Sequence, residues 1–241
     1  MTTNKKNVLG HPIGLVTLFF TEMWERMSYY GMRALLVLFM TDQINNGGMG
    51  LNDTKATAIY GIYTAFVYLV ALPGGWVADK YIGAQTAILY GGTIIMCGHF
   101  VLAIPSTNAF FLGLLLVIVG TGLLKPNISA VLGDLYLPGD PRRDSGFSIF
   151  YMGINLGGML GPMICGALAQ NNNFGWHYGF AFAGIGMSLG IFQFYKTKHY
   201  LGDAGLKSNL SSAQKNGVKI CLGVLLLALI IISRFDFSAI D

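Results

Sequence analysis

Charged residues are scarce in this sequence. Lys and Arg number 15 and Asp and Glu 11, together 11% of 241 residues, where a soluble domain carries about a quarter. So little charge excludes an ordinary water-facing domain. The formal net charge is +4, but the bases sit in separate loops. That scatter excludes the clustered basic face of a nucleic-acid binder. Cysteine is scarce too: Cys97, Cys165 and Cys221 each lie in an apolar run, with no metal-clip spacing. They read as small packing residues. No small-x-small cleavage site follows the first apolar run, which is too long and too charged for a cleaved signal. Neither catalytic residues, nor a metal site, nor an organic cofactor is expected, and the chain is not read as an enzyme.

What is present is apolar. Hydrophobic residues make up 54% of the chain, and runs of about 20 recur along its length, which predicts an all-α polytopic membrane protein in contact with lipid. Seven spans are expected, at 14–41, 56–79, 84–105, 108–134, 145–170, 175–196 and 217–234. Residues 1–196 would form a six-helix bundle, 197–216 a polar linker and 217–234 a further span. Basic residues alternate between loops: Lys5, Lys6, Lys80, Arg142, Arg143, Lys196, Lys198, Lys207 and Lys215 on one side, Lys55 and little else on the other. By the positive-inside rule the N-terminus is cytoplasmic, in a cell membrane. Six-helix halves built from two three-helix repeats are common in secondary transporters.

The first span nevertheless holds Glu22, Glu25, Arg26 and Arg33. With Tyr29 and Tyr30 they fall within an arc of roughly 140° on a helix, so they form one stripe. Lipid cannot accept such a stripe, and it must face the bundle interior or a watery cavity. Taking Gly14, Asp79, Asp134 and Ser145 as edges, Arg26, Tyr68, Lys125 and Asn155 lie about 14–18 Å deep at 1.5 Å per residue. That is near the middle of a core about 30 Å thick, where transporters hold substrate. The plain alternative is a buried ion-pair cluster that only fixes packing. A carboxylate beside a movable base also offers a route to couple proton movement to solute movement.

Other motifs lie at span ends and crossings. In "GTGLLKPNIS", 120–129, Pro126 cannot donate to Gly122, so a kink or loosening is expected beside Lys125 and Asn127. In "GGWVADKYIGA", 74–84, Asp79 is placed either to bond the first amides of the next helix or to pair with Arg142 or Arg143. Gly153, Gly157 and Gly161 recur every four residues and would let another helix approach closely. His99 reads as a hydrogen-bonded structural histidine.

Four segments together resemble the proton-dependent oligopeptide transporters of the major facilitator superfamily. "EMWERMSYYG" at 22–31 is similar to the motif E-x-x-E-R-F-x-Y-Y-G, with Met27 where Phe is usual. "GGWVADKYIGA" with "GGTIIMCGH", "GTGLLKPNIS" and "FSIFYMGINLGG" carry the rest. The resemblance implies proton coupling at Glu22, Glu25 and Arg26, with protons as the coupling ion. It implies a basic pocket of Arg26, Arg33 and Lys125 for a peptide carboxylate, with Tyr29, Tyr30, Tyr68 and Asn155 toward the peptide backbone. Asp79, Pro126 and Asn127 would serve gating or structure. Partners would be di- and tripeptides, protons and a C-terminal half beyond Asp241, without which no transport is expected. Two rivals stay open: a facilitator for another small anion, and a truncated membrane protein that does not transport.

Overall fold

The computed structural model describes residues 7–171 and 173–206. Helix α1 spans Gly14–Thr41, α2 Asp53–Leu69, α3 Ala71–Val77, α4 Ala84–Leu102, α5 Thr107–Asp134, α6 Arg142–Ala169 and α7 Trp176–Thr197. A two-stranded hairpin, β1 (Asn7–Val8) and β2 (His11–Pro12), precedes them. Helices α2 and α3 run on through Val70 and end in a π-helical turn at Ala78–Ile82, so they form one crossing. Four described helical stretches are long and apolar enough to cross a membrane: Asp53–Ile82, Ala84–Leu102, Thr107–Asp134 and Arg142–Ala169. The seventh expected span and Cys221 lie outside the described residues.

Two helices begin earlier than the expected spans, each beside a side chain that accepts an amide of the first turn. Asn52 accepts the amide of Lys55 at 2.8 Å and starts α2 at Asp53 rather than 56. Asp140 accepts the amide of Arg142 at 2.9 Å and starts α6 three residues before Ser145. The Arg142 guanidinium also holds Asp140, at 2.7 Å, and donates to the Gly10 carbonyl, tying the hairpin to the α5–α6 loop. The Arg142 hydrogen bonds hold the Asp140 carboxyl down at about 2. A depressed carboxylate loses its partner only as pH falls through that value, so this tie persists across the physiological range. Helix α5 stays helical through Pro126. The Gly122 carbonyl, which Pro126 cannot bond, lies against Gly74 of α3, where a Cβ would sit 2.0 Å from it.

Small residues set the closest crossings. On α6, a Cβ at Gly157 would lie 2.2 Å from the Met23 carbonyl, and one at Gly161 2.3 Å from that of Met27. Cys165 packs against Gly31 in the same seam, whereas Cys97 is exposed rather than a packing residue. Apolar burial divides into two clusters. One gathers around Met32, Leu36, Phe39, Phe110 and Phe180, the other around Leu18, Ile95, Leu124, Phe150 and Phe194. The charged turn of α1 sits between them.

Residues 198–206, expected to open a polar linker, instead fold back as a strap under the bundle. Leu201 is 1% exposed, and Ala204 is buried. The amides of Ala84 and Gln85 donate to the Gly205 carbonyl, at 2.9 and 3.4 Å. The Gln85 amide group donates to Gly202 O and Ala204 O, at 3.1 and 2.7 Å. So Gly205, not Asp79, satisfies the first amides of α4. Gly205 has φ +70°, and a Cβ there would lie 2.4 Å from Val131. The apolar positions of Leu201 and Ala204 explain why a polar-looking run docks. Gln85→Leu removes both side-chain donors and strands two carbonyls. We expect a loss of about 2 kcal/mol of stability, read as a lower unfolding midpoint in detergent.

Candidate functional site

The stripe on α1 is buried, and its first half is a compact ion cluster. Glu22 is 2% exposed, Glu25 0% and Arg26 4%. Arg26 Nε donates to Glu22 Oε1 at 2.7 Å and lies 2.8 Å from Glu25 Oε2. Glu22 Oε2, both Glu25 oxygens and Arg26 Nη2 are buried without a hydrogen-bond partner among the described residues. Two carboxylates therefore share one guanidinium, and the three groups sum to one negative charge when both acids are ionised. Buried polar atoms left unpaired in this way are uncommon and point to a ligand, water or proton that completes them.

Packing fixes where the cluster sits. Gly157 of α6 brings its backbone against the turn that carries Arg26, so close that a Cβ would lie 2.9 Å from Arg26 Cβ. One turn toward the basal end, where α1 begins, Thr21 donates to Gln193 Oε1 of α7 at 3.0 Å, and Gln193 donates to Thr197. Close contacts with α6 and α7 thus bracket the turn that carries the two buried acids. One turn the other way, the Arg26 guanidinium stands 5.7 Å from the Tyr29 ring, which packs edge-on against Tyr30. Tyr29 belongs to the apolar core, whereas Tyr30 is half-buried.

The other two cations expected in the pocket, Lys125 and Arg33, have aromatic partners. Lys125 Nζ lies 4.6 Å from the centroid of Tyr68. Tyr68 is 59% exposed on the open side of α2. Arg33 donates through Nε to Tyr60 Oη, with its guanidinium 5.4 Å from that ring. Among the described residues neither Arg33 nor Lys125 has a carboxylate within 4.0 Å. Asn155 is exposed on α6 and makes no hydrogen bond among the described residues. Asn127 is buried and donates to the Leu123 carbonyl of its own helix at 2.6 Å, a role internal to α5. Pro126 is half-buried beside Gly75, and Asp79 is exposed in the π-helical turn. Arg142 pairs with Asp140.

Tyr60 was not among the residues chosen from the sequence, yet it holds a stripe arginine. The signal was there: Tyr60, Tyr63, Thr64 and Tyr68 share one face of α2 by the spacing rule that picked out the α1 stripe. His99, expected to be hydrogen-bonded, is buried with both ring nitrogens unpartnered among the described residues. An isolated histidine carries no pattern from which its surroundings could be read.

The sequence profile of the POT family (PTR2) matches residues 85–231. The chain belongs to the POT family. It is 50% identical over 230 residues to an uncharacterized transporter of Bacillus subtilis (strain 168), covering 95% of this chain and 46% of that protein. It is 44% identical over 237 residues to a di-/tripeptide transporter of Lactococcus lactis subsp. cremoris, covering 95% and 47%. A crystal structure of a POT peptide transporter in complex with alafosfalin aligns with a TM-score of 0.85 at 47% identity, covering 97% of this chain and 49% of that one. Another, of a POT family transporter in complex with 5-aminolevulinic acid, aligns at 0.84 and 40% identity, covering 95% and 47%. The chain thus spans about half the length of the relatives it matches. The family is one of membrane transporters, in keeping with the apolar helices and the inward-facing charge.

Proposed function

We propose that this chain forms the N-terminal six-helix half of a proton-coupled importer of di- and tripeptides, working with a C-terminal half. It sits in the cell membrane with the basal end, which carries Gly14 and Lys80, toward the cytoplasm. The observation that carries the reading is the division of labour among the cations. Arg26 is committed to Glu22 and Glu25, while Lys125 rests on a π face and keeps its charge for an incoming anion.

That division suggests the coupling. Lys125 lies near the depth of Arg26 along the helix axes, and with Lys125 counted the four groups sum to zero. A peptide carboxylate that takes Lys125 leaves the two acids and Arg26 one charge in excess. One proton on Glu22 or Glu25 restores neutrality. With the peptide's ammonium matched by a carboxylate of the C-terminal half, substrate and proton then enter the buried site together, since the peptide carboxylate or the proton alone leaves an uncompensated charge in low dielectric.

The test is uptake of labelled dipeptide into vesicles holding this chain with a C-terminal half, with and without an imposed proton gradient. Gradient-driven uptake is expected. Replacing Lys125 by Ala is expected to raise KM at least about tenfold for a dipeptide with a free carboxylate, as loss of a charge-assisted contact does. Gradient-independent uptake would overturn the coupling. A second reading, a carrier for other small amino- and carboxylate-bearing solutes, is favoured by the relative solved with 5-aminolevulinic acid. Competition by that compound against the labelled dipeptide separates the two.

A further inference from the structure

The end of α7 carries two cations that the buried cluster does not use. Lys196 Nζ lies 5.7 Å from the centroid of Phe192, and Lys198 Nζ lies 5.1 Å from that of Tyr195. Among the described residues neither ammonium has a carboxylate within 4.0 Å, and neither donates a hydrogen bond. A lysine that only completed the end of a helix would donate to its last carbonyls. These two rest on aromatic rings instead, and both rings are exposed.

The level and facing of this turn are fixed. Thr17 Oγ1 donates to the Thr197 carbonyl at 3.3 Å. Thr17 is three residues into α1, about 4.5 Å from Gly14, so the two lysines stand at the basal edge of the bundle. Gln193, between the two rings in sequence, is tied to Thr21 and Thr197, which holds the turn against α1. The outward face above the lysines is apolar. Ile185, Leu189 and Phe192 are exposed and fall at i, i+4 and i+7, with Lys196 at i+11. Phe192 to Ile185 is about 10 Å of helix, which fits within one leaflet's share, about 15 Å, of the hydrocarbon core. The cations are thus at headgroup level, at the foot of an apolar track at acyl-chain depth.

We propose that Lys196 and Lys198 bind the phosphate of an anionic phospholipid in the basal leaflet, with an acyl chain along Ile185, Leu189 and Phe192. Charge selects the lipid. Two ammonium groups without a carboxylate beside them favour a headgroup of net negative charge. A zwitterionic headgroup brings a cation of its own and gains less. Each ammonium keeps N–H donors on the side away from its ring, free for phosphate oxygens. The track selects a lipid over a free phosphate, which would leave the apolar face uncovered. A chain that crosses a membrane suffices for this site, whatever solute it carries.

The test is lipid binding to the 241-residue chain in neutral detergent, read by native mass spectrometry. Phosphatidylglycerol and phosphatidylcholine with the same acyl chains are titrated separately. Phosphatidylglycerol is expected to bind at least about tenfold more tightly. Lys196→Gln with Lys198→Gln is expected to weaken its binding about thirtyfold, and each single change about fivefold, with phosphatidylcholine within about twofold. Lys196→Arg with Lys198→Arg keeps both charges and is expected to keep the preference. Lys55→Gln, in the first turn of α2, is expected to leave it unaltered. Inorganic phosphate in large excess is expected to leave the lipid bound, and displacement by it would assign the site to a free anion and overturn the lipid. Equal affinity for the two lipids would also overturn the proposal. So would undiminished phosphatidylglycerol binding by the double Gln variant. A lower unfolding midpoint for that variant with its lipid preference intact would make the two lysines structural and sink the idea.

Discussion

Replacing Glu25 by Gln is expected to abolish gradient-driven peptide uptake while sparing counterflow, the exchange of labelled for unlabelled peptide across the same membrane. The reasoning is electrostatic. Glu25 is fully buried, 2.8 Å from Arg26 Nε, with both oxygens lacking a hydrogen-bond partner among the described residues. The amide is close in size to the carboxylate but cannot gain or lose a proton, and it leaves Glu22 to balance Arg26 alone at 2.7 Å. With a peptide carboxylate on Lys125, Glu22 and Arg26 then already sum to zero, so entry of the solute no longer calls for a proton. Exchange needs only the solute site and should continue. Glu22→Gln should behave alike, because either change leaves one acid for one base. A drop in gradient-driven uptake of at least about 100-fold is expected, as for loss of a group on which a proton-transfer step depends. If both single variants keep gradient-driven uptake, the coupling role of the pair is wrong. If counterflow fails as well, the pair serves structure rather than coupling.

The second large effect concerns a residue with no chemistry of its own. Gly157→Leu is expected to give no folded protein, and Gly157→Ala to cost about 1–3 kcal/mol, the scale of overpacking. A Cβ at 157 would meet the Met23 carbonyl at 2.2 Å, the Met27 amide at 2.9 Å and Arg26 Cβ at 2.9 Å. All three obstacles are backbone or Cβ atoms, so no rotamer change relieves them. The helix must move instead, and with it the turn that carries Glu22, Glu25 and Arg26. Gly166→Ala on the same helix is the control, since nothing lies within 4 Å of a Cβ there. Thermal unfolding in detergent should lower the midpoint of Gly157→Ala and leave Gly166→Ala within about 0.5 kcal/mol of the parent. Equal midpoints for the two would refute the close-packing account of the α1–α6 seam.

The stripe and the glycine seam were legible in the sequence because both are periodic. Glu22, Glu25, Arg26, Tyr29, Tyr30 and Arg33 repeat at helical spacing, as do Gly153, Gly157 and Gly161. Periodicity tells which residues share a face, and depth along a helix tells which residues of different helices share a level. Neither tells which partner a side chain chooses. Arg33 lies on the face of Arg26, but only the packing of α1 on α2 shows that it turns to Tyr60 and not to an acid. The first amides of α4 were open to Asp79 on sequence grounds. They are satisfied instead by Gly205, more than a hundred residues away, and local spacing holds no information about such a contact. Asp140, by contrast, is a local signal: two positions before Arg142, its carboxylate accepts the first amide of α6. Apolar content alone, which puts the boundary at 145, does not register such a turn.

The docked strap changes how tether length is counted. On sequence alone the connection from 197 to 216 has twenty residues, enough to span at most about 70 Å when fully extended. Its first nine after Thr197 are spent beneath α4 and α5, held by Gln85 and by Leu201. Whatever follows starts from Leu206, with ten residues to 216 and a reach of at most about 35 Å. The anchor point lies beside the start of α4 and the last turns of α5, not at the end of α7, so the tether is counted from there.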